Sequence, residues 1–216
     1  MRNTFDRFNG RHQDYQAARP SYAQEFLDWL GELYAPPERY TAADIGSGTG
    51  KLSAQLLAAG FRVCGVEPNP DMRGAAEALL GGDPRFSSSN GTDHDTGLPD
   101  RSVDMVAAAQ AFHWFDGPAF ARECRRILRP GGRAVLVCGS APMNQALAQV
   151  FREHCPSFHG FTGGMGEDDP RIRDFFGGAY EKRRFPNPLT LDRDRFLRRC
   201  FSSSYALREG DADYEA

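Results

Sequence analysis

The sequence predicts an α/β fold, a doubly wound and mainly parallel sheet with helices on both faces. Short apolar runs alternate with amphipathic helical stretches from Thr41 to Val137. The first run ends in a glycine turn, Asp44-Ile45-Gly46-Ser47-Gly48-Thr49-Gly50, and the second ends in Glu67. Glycines let backbone approach a ligand closely, and a helix start offers free N–H groups. A carboxylate closing the next strand can accept from both hydroxyls of a ribose. The combination is the layout of a nucleoside-binding site.

Taken in order, Arg11 to Ala18 reads as a short helix interrupted by Arg19-Pro20. Ser21 is placed to cap a second helix carrying Phe26, Leu27, Leu30 and Leu33 on one face, and Pro36-Pro37 stops it. Residues 1–40 thus form an N-terminal helical lid, and 41–140 form the core. In the core, strands are predicted at Thr41–Ile45, Arg62–Glu67, Arg85–Ser88, Val103–Ala109 and Arg133–Val137. Helices are predicted at Lys51–Ala59, Asp71–Leu80 and Pro118–Leu128. The all-apolar character of the fourth strand suits one covered on both faces. Residues 141–216 form a cap, with helices at Gln145–His154 and Asp192–Cys200 and one candidate strand at Ala179–Leu191. With a single strand after the fifth, the sheet lacks its seventh strand or the chain stops short of it.

A chain of 216 residues with net charge −3 suits one sizeable domain and argues against a general nucleic-acid binder. The five cysteines are never spaced as C-x-x-C, so no disulfide framework or metal site is expected. Cys64 and Cys138, inside predicted strands, are expected as small buried hydrophobes. No apolar run approaches a membrane span and no secretory leader is visible, which makes the cytoplasm the expected compartment.

The spacing of the turn separates two cofactor classes. A pyrophosphate-binding G-x-G-x-x-G from Gly46 requires glycine where the chain has Lys51. The sequence is instead D-x-G-x-G-x-G, which resembles motif I of the class I S-adenosylmethionine methyltransferases. Three further segments are similar to one small-molecule branch of that family: Tyr15-Gln16-Ala17-Ala18-Arg19-Pro20-Ser21-Tyr22, Ala109-Gln110-Ala111-Phe112-His113-Trp114-Phe115-Asp116, and Ile127-Leu128-Arg129-Pro130-Gly131-Gly132. Together the matches cover residues 5 to about 140.

The resemblance implies a Rossmann-like fold and S-adenosylmethionine as cofactor. It places Tyr15 and Arg19 on the methionine carboxylate, unless Arg19 pairs with a nearby acid. Asp44 would organise the turn, while Gly46, Ser47 and Gly48 approach the methionine and ribose through backbone. Glu67 would hold the ribose hydroxyls, with Pro68 and Asn69 continuing the turn. Met72 would pack on the adenine or sit in the core. Thr92 and Asp93 lie in the adenine loop, where Asp93-His94 replaces the alanine-glutamate usual in the branch. Gln110 would end the fourth strand at the sulfonium. His113 is the candidate base, or else part of a structural turn.

Base-directed nucleic-acid methyltransferases carry D/N-P-P-Y/F after the fourth strand, and this chain does not. The expected acceptor is therefore a small molecule, and the protein a monomer or homodimer. Phe158, Phe161, Phe175, Phe176 and Arg171 could line an apolar acceptor pocket with a cation for an acid group. The branch resembles enzymes acting on small organic acids such as trans-aconitate. Two other readings are a non-catalytic cofactor-binding protein and a dinucleotide-dependent oxidoreductase.

Overall fold

A computed structural model describes residues 20–139, 145–155, 165–166 and 168–201. The strands are β1 (Thr41–Ile45), β2 (Arg62–Val66), β3 (Phe86–Ser89), β4 (Val103–Ala109) and β5 (Leu128–Val137). They form one sheet in the order β3-β2-β1-β4-β5, with every neighbouring pair parallel. The chain runs outward from β1 to β3, then returns to place β4 against the other side of β1. That reversal opens a crevice beyond the carboxyl ends of β1 and β4.

The helices are α1 (Gln24–Leu33), α2 (Lys51–Ala58), α3 (Pro70–Leu80), α4 (Gly117–Ile127), α5 (Gln145–His154), α6 (Pro170–Phe175) and α7 (Arg193–Phe201). Side chains alternate across the sheet with period two. Ala42, Val63, Met105 and Ala107 face one core with Phe26, Leu27 and Leu30 of α1 and Leu52 and Leu56 of α2. Ala43, Val66, Val106 and Ala108 face the other, with Phe120, Cys124 and Ile127 of α4 and Met165. The three α-helix starts marked by proline are capped: Asn69 Oδ1 accepts from Met72 N–H ahead of α3, Asp116 Oδ1 from Ala119 N–H ahead of α4, and Asp169 Oδ1 from Arg171 N–H ahead of α6. Among the described residues no helix is long and apolar enough to cross a membrane.

Four expectations are corrected. Ala179–Leu191 is not a strand: the segment pairs with no sheet edge. Its run Glu181-Lys182-Arg183-Arg184 resists burial, and Pro186 and Pro188 lack the N–H a ladder needs. The segment lies across α1 instead, with Phe185 against Phe26 at 5.7 Å and Trp29 at 5.8 Å. Ser21 does not cap α1; the N-cap is Ala23, with no side-chain hydrogen bond. Gln55 of α2 anchors that entry, accepting from Tyr22 N–H and donating to Tyr22 O. β5 begins at Leu128 rather than Arg133, because Val103 pairs with Leu128 and Met105 with Arg133, so Arg129 to Gly132 bulges within the strand. Cys138 is exposed and Cys64 half-buried; Cys124 on α4 is the buried thiol. The predicted helix at Arg11 to Ala18 lies outside the described residues.

Candidate functional site

The three glycines of the turn after β1 serve three purposes. All have positive φ, 71° at Gly46, 56° at Gly48 and 80° at Gly50. A Cβ on Gly46 would stand 2.7 Å from Ala111 Cβ and 3.2 Å from Phe115 Cζ, so this glycine seats the turn against the chain leaving β4. A Cβ on Gly50 would stand 2.9 Å from Leu80 Cδ1 and 3.1 Å from Ala76 Cβ, so the third glycine lets α2 start against α3. A Cβ on Gly48 would meet nothing within 4 Å. Of the three, Gly48 alone faces space that no described residue fills. Gly46 N–H and Ser47 N–H both donate to Val66 O, at 2.9 and 3.1 Å, extending the β1–β2 ladder into the turn.

Asp44 is 1 % exposed, and its Oδ2 accepts from Ser53 Oγ at 2.7 Å. The N-cap of α2 is Gly50, which has no side chain to offer, and Asp44 at the end of β1 instead ties Ser53 on the first turn of α2 to the sheet. Burial pushes the carboxyl up to about 6, against the hydrogen bonds from Ser53, which lower it. A folded pKa above the unfolded value means that stability is fully present below the unfolded pKa near 3.8 and is lost as pH rises through about 6. The loss is on the order of 3 kcal/mol. Urea denaturation of Asp44→Asn at several pH values is expected to show this dependence flattened.

Thr49 Oγ1 is buried in the same turn and makes no hydrogen bond among the described residues. Leaving a buried hydroxyl unpaired costs about 1–3 kcal/mol. The isosteric Thr49→Val is expected to raise the apo-protein's stability by up to about 1 kcal/mol, read from its urea midpoint.

Glu67, one residue past β2, is 9 % exposed. Its Oε2 accepts from Gly48 N–H and its Oε1 from Asn69 N–H, each at 2.9 Å. Each oxygen keeps a further lone pair, so two donors such as the hydroxyls of a ribose can still be taken. Burial raises this carboxyl, while the Asn69 and Gly48 N–H groups and Arg73 draw it back. Arg73 was not visible as a site residue in the sequence. Its NH1 donates to Glu67 O at 2.8 Å, Pro68 O at 3.3 Å and Asn90 Oδ1 at 3.0 Å, locking the turn after β2 to the end of β3. Met72 is buried on the first turn of α3.

The loop after β3 is pinned from both ends of α4. Thr92 Oγ1 accepts from Asp95 N–H at 3.1 Å. Asp93 Oδ2 accepts from Asp116 N–H at 3.0 Å and Oδ1 meets His94 Nδ1 at 3.0 Å, so the carboxylate expected near adenine is engaged with the start of α4. At the other end, Glu123 Oε1 accepts from Thr96 N–H at 2.9 Å and Thr96 Oγ1 at 2.6 Å. Arg126 closes both Glu123 oxygens and reaches Asp100 Oδ1 at 2.6 Å. Sequence patterns do not flag this network, because its members are 27 residues apart.

Gln110 ends β4 with φ 55°, a left-handed conformation that costs a non-glycine residue about 1 kcal/mol or more. Its N–H donates to Val137 O, and its side chain lies beside Gly139. Gln110→Gly is expected to leave stability unchanged or raised by up to about 1 kcal/mol, and Gln110→Val to lower it, in the same denaturation assay. His113 sits in a 3-10 turn, Phe112–Trp114, its ring 4.7 Å from that of Trp114. Phe112 and Phe115 of this segment pack on Phe120.

The structure therefore brings Asp44, Gly46, Ser47, Gly48, Glu67 and Pro68 together at the carboxyl ends of β1 and β2, with Gln110 at the end of adjoining β4. Tyr15 and Arg19 lie outside the described residues, as do Phe158 and Phe161. The acceptor pocket drawn from the remaining aromatics is not formed as expected. Phe175 packs on Phe112 and Phe120, Phe176 stacks on Tyr180, and the Arg171 guanidinium is held by both oxygens of Asp169.

Comparison with known proteins gives a consistent picture. Residues 43–136 match the methyltransferase domain family. An uncharacterized methyltransferase of Mycobacterium tuberculosis is 42 % identical over 123 residues, covering 57 % of this chain and 48 % of that protein. The match thus spans about half the length of that relative. An uncharacterized methyltransferase-like protein of Schizosaccharomyces pombe is 28 % identical over 213 residues, covering 93 % of this chain and 79 % of that protein. The structure of a candidate type II methyltransferase from Anaeromyxobacter dehalogenans superposes with TM-score 0.55 at 31 % identity, covering 87 % of this chain and 80 % of the other.

Proposed function

We propose that this chain, which belongs to the class I S-adenosylmethionine-dependent methyltransferases, binds that cofactor in the crevice beyond β1, β2 and β4 and methylates a small organic acceptor. The observation that carries the reading is the Glu67 carboxylate, fixed by Gly48 and Asn69 N–H beside a glycine that faces open space. These residues fit the cofactor: a ribose has two donors for Glu67, and its approach needs the absent side chain at Gly48. The turn carries no third glycine where a pyrophosphate would need one, which favours a phosphate-free nucleoside.

The cofactor supplies a methyl group already activated by the sulfonium. The protein is left to align an acceptor with it and keep water out. Gln110, held at the end of β4 by its backbone bond to Val137, lines the reacting end. By the family resemblance Tyr15 and Arg19, which lie outside the described residues, would hold the methionine carboxylate, and the loop at Thr92 and Asp93 would meet the adenine through its backbone. A carboxylate acceptor loses no proton, whereas a hydroxyl acceptor hands one to a base, the role assigned to His113. The acceptor is a carboxylate or hydroxyl of a small molecule rather than a nucleic acid, and the protein acts in the cytoplasm as a monomer or homodimer.

A thermal-shift comparison tests the cofactor. S-adenosylhomocysteine at about a hundredfold above its dissociation constant adds about 2.7 kcal/mol, or a rise of about 5–10 °C for a chain of this size. NAD is expected to give none. A rise with NAD alone would overturn the reading.

A further inference from the structure

Arg73 stands where the field of a helix disfavours it. α3 begins at Pro70, and Arg73 lies on its first turn, where the free N–H groups favour anions over cations. Helix side chains lean toward the N-terminus, so this guanidinium reaches back over the turn that follows β2. The side chain is 19 % exposed, and Nε faces Glu77 Oε1 at 3.7 Å, one turn further along α3. NH1 donates to Glu67 O at 2.8 Å and Pro68 O at 3.3 Å on one segment. On a second segment it donates to Asn90 Oδ1 at 3.0 Å.

These two segments carry the two halves of the nucleoside site. Glu67 is the carboxylate for the ribose, and Asn90 opens the loop of Thr92 and Asp93 assigned to the adenine. The ladder between β2 and β3 ends with Glu67 N–H donating to Ser89 O at 3.1 Å. Past that bond the strands give way to turns, and the Arg73 guanidinium continues the join. Arginine suits this place because one planar group presents several N–H donors in fixed directions.

We propose that Arg73 is a positioning residue of the cofactor site, fixing Glu67 and the adenine loop as one frame so that ribose and base are met together. The proposal rests on the methyltransferase reading of the crevice. The charge of Arg73 has a second effect. Burial raises the Glu67 carboxyl, while the Asn69 and Gly48 N–H groups and the Arg73 cation lower it. Asp44, at the end of β1, is the carboxyl that shares its field. Without Arg73, Glu67 takes up its proton at higher pH, and affinity that depends on its charge is lost sooner on acidification.

The test is titration calorimetry with S-adenosylhomocysteine across a pH series. Arg73→Gln is expected to weaken binding by about tenfold at neutral pH and to move the acid loss of affinity to higher pH. Arg73→Lys keeps the charge, so it is expected to leave that pH profile in place and to recover part of the affinity. It also keeps the test open should Arg73→Gln melt below the assay temperature. Asn90→Ala is expected to weaken binding without moving the profile, and adding it to Arg73→Gln to cost nothing further. Carboxyl NMR of Glu67 in the ligand-free protein reads the same upward shift directly. Wild-type affinity in Arg73→Gln overturns the proposal, as do losses at Arg73 and Asn90 that simply add. Weakened binding with an unmoved pH profile also overturns it, because a merely structural residue would behave so. If the wild type does not bind S-adenosylhomocysteine, the methyltransferase reading fails instead. The Glu67 titration then decides Arg73: a carboxyl that moves up in Arg73→Gln sustains its hold on Glu67, and one that stays put ends it.

Discussion

Glu67→Gln is expected to weaken S-adenosylhomocysteine binding by about two orders of magnitude. Each hydrogen bond to a charged group contributes about 1.5–3 kcal/mol, and a ribose offers two. The substitution removes the charge and also turns an amide N–H₂ toward either Gly48 N–H or Asn69 N–H, because both oxygens of Glu67 already accept from backbone. The apo-protein should therefore lose about 1–3 kcal/mol as well. Titration calorimetry reads the first effect and urea denaturation the second. An unchanged affinity would remove Glu67 from the cofactor site. The pH dependence follows from the same carboxyl. Burial raises it above the usual carboxylate range, so affinity is expected to fall on acidification earlier than for an exposed glutamate.

Glu123→Ala is expected to cost about 3–5 kcal/mol, the largest stability effect among these substitutions. The side chain is 7 % exposed and carries four contacts from Thr96 and Arg126; its removal leaves Thr96 N–H buried and unpaired. Although burial raises this carboxyl, the Arg126 and Thr96 hydrogen bonds outweigh it and bring it down to about 2. A folded pKa below the unfolded value of 4.5 gives stability that is present above pH 4.5 and lost as pH falls through about 2. The magnitude is on the order of 3 kcal/mol. Acid denaturation followed by circular dichroism should show this loss in the wild type, with a flatter profile in the variant. Asp44 works in the opposite direction, losing its contribution as pH rises through about 6. The contributions of these two groups together are largest at about pH 4, between the unfolded values of 3.8 and 4.5.

Because Glu123 holds the loop that follows β3, its loss should also weaken S-adenosylhomocysteine binding, though less than Glu67→Gln does. A variant that melts early yet binds normally would show that the loop keeps its shape without α4.

Local sequence signals determined the sheet order's ingredients and the glycine turn at the mouth of the crevice. The glycine spacing, the strand-ending Glu67 and the proline-marked starts at Asn69-Pro70 and Asp116-Gly117-Pro118 act within a few residues of themselves, so pattern alone exposes them. The alternation of apolar runs gave five strands within a residue or two of where they lie, except β5, whose start is drawn back to Leu128 by pairing with Val103. What only the tertiary structure decided are the contacts between distant segments. Asp44 was read as organising a turn; its partner there, Ser53 on the first turn of α2, meets it only once α2 packs beside β1. Ala179–Leu191 has extended, strand-like aromatics, yet Phe185 finds Phe26 and Trp29 across more than 150 residues of chain. Thr96, Glu123 and Arg126 look like ordinary polar residues until α4 folds back on the loop. Periodicity reports which face a residue shows, but the partner on that face is set by the packing of the sheet's two sides.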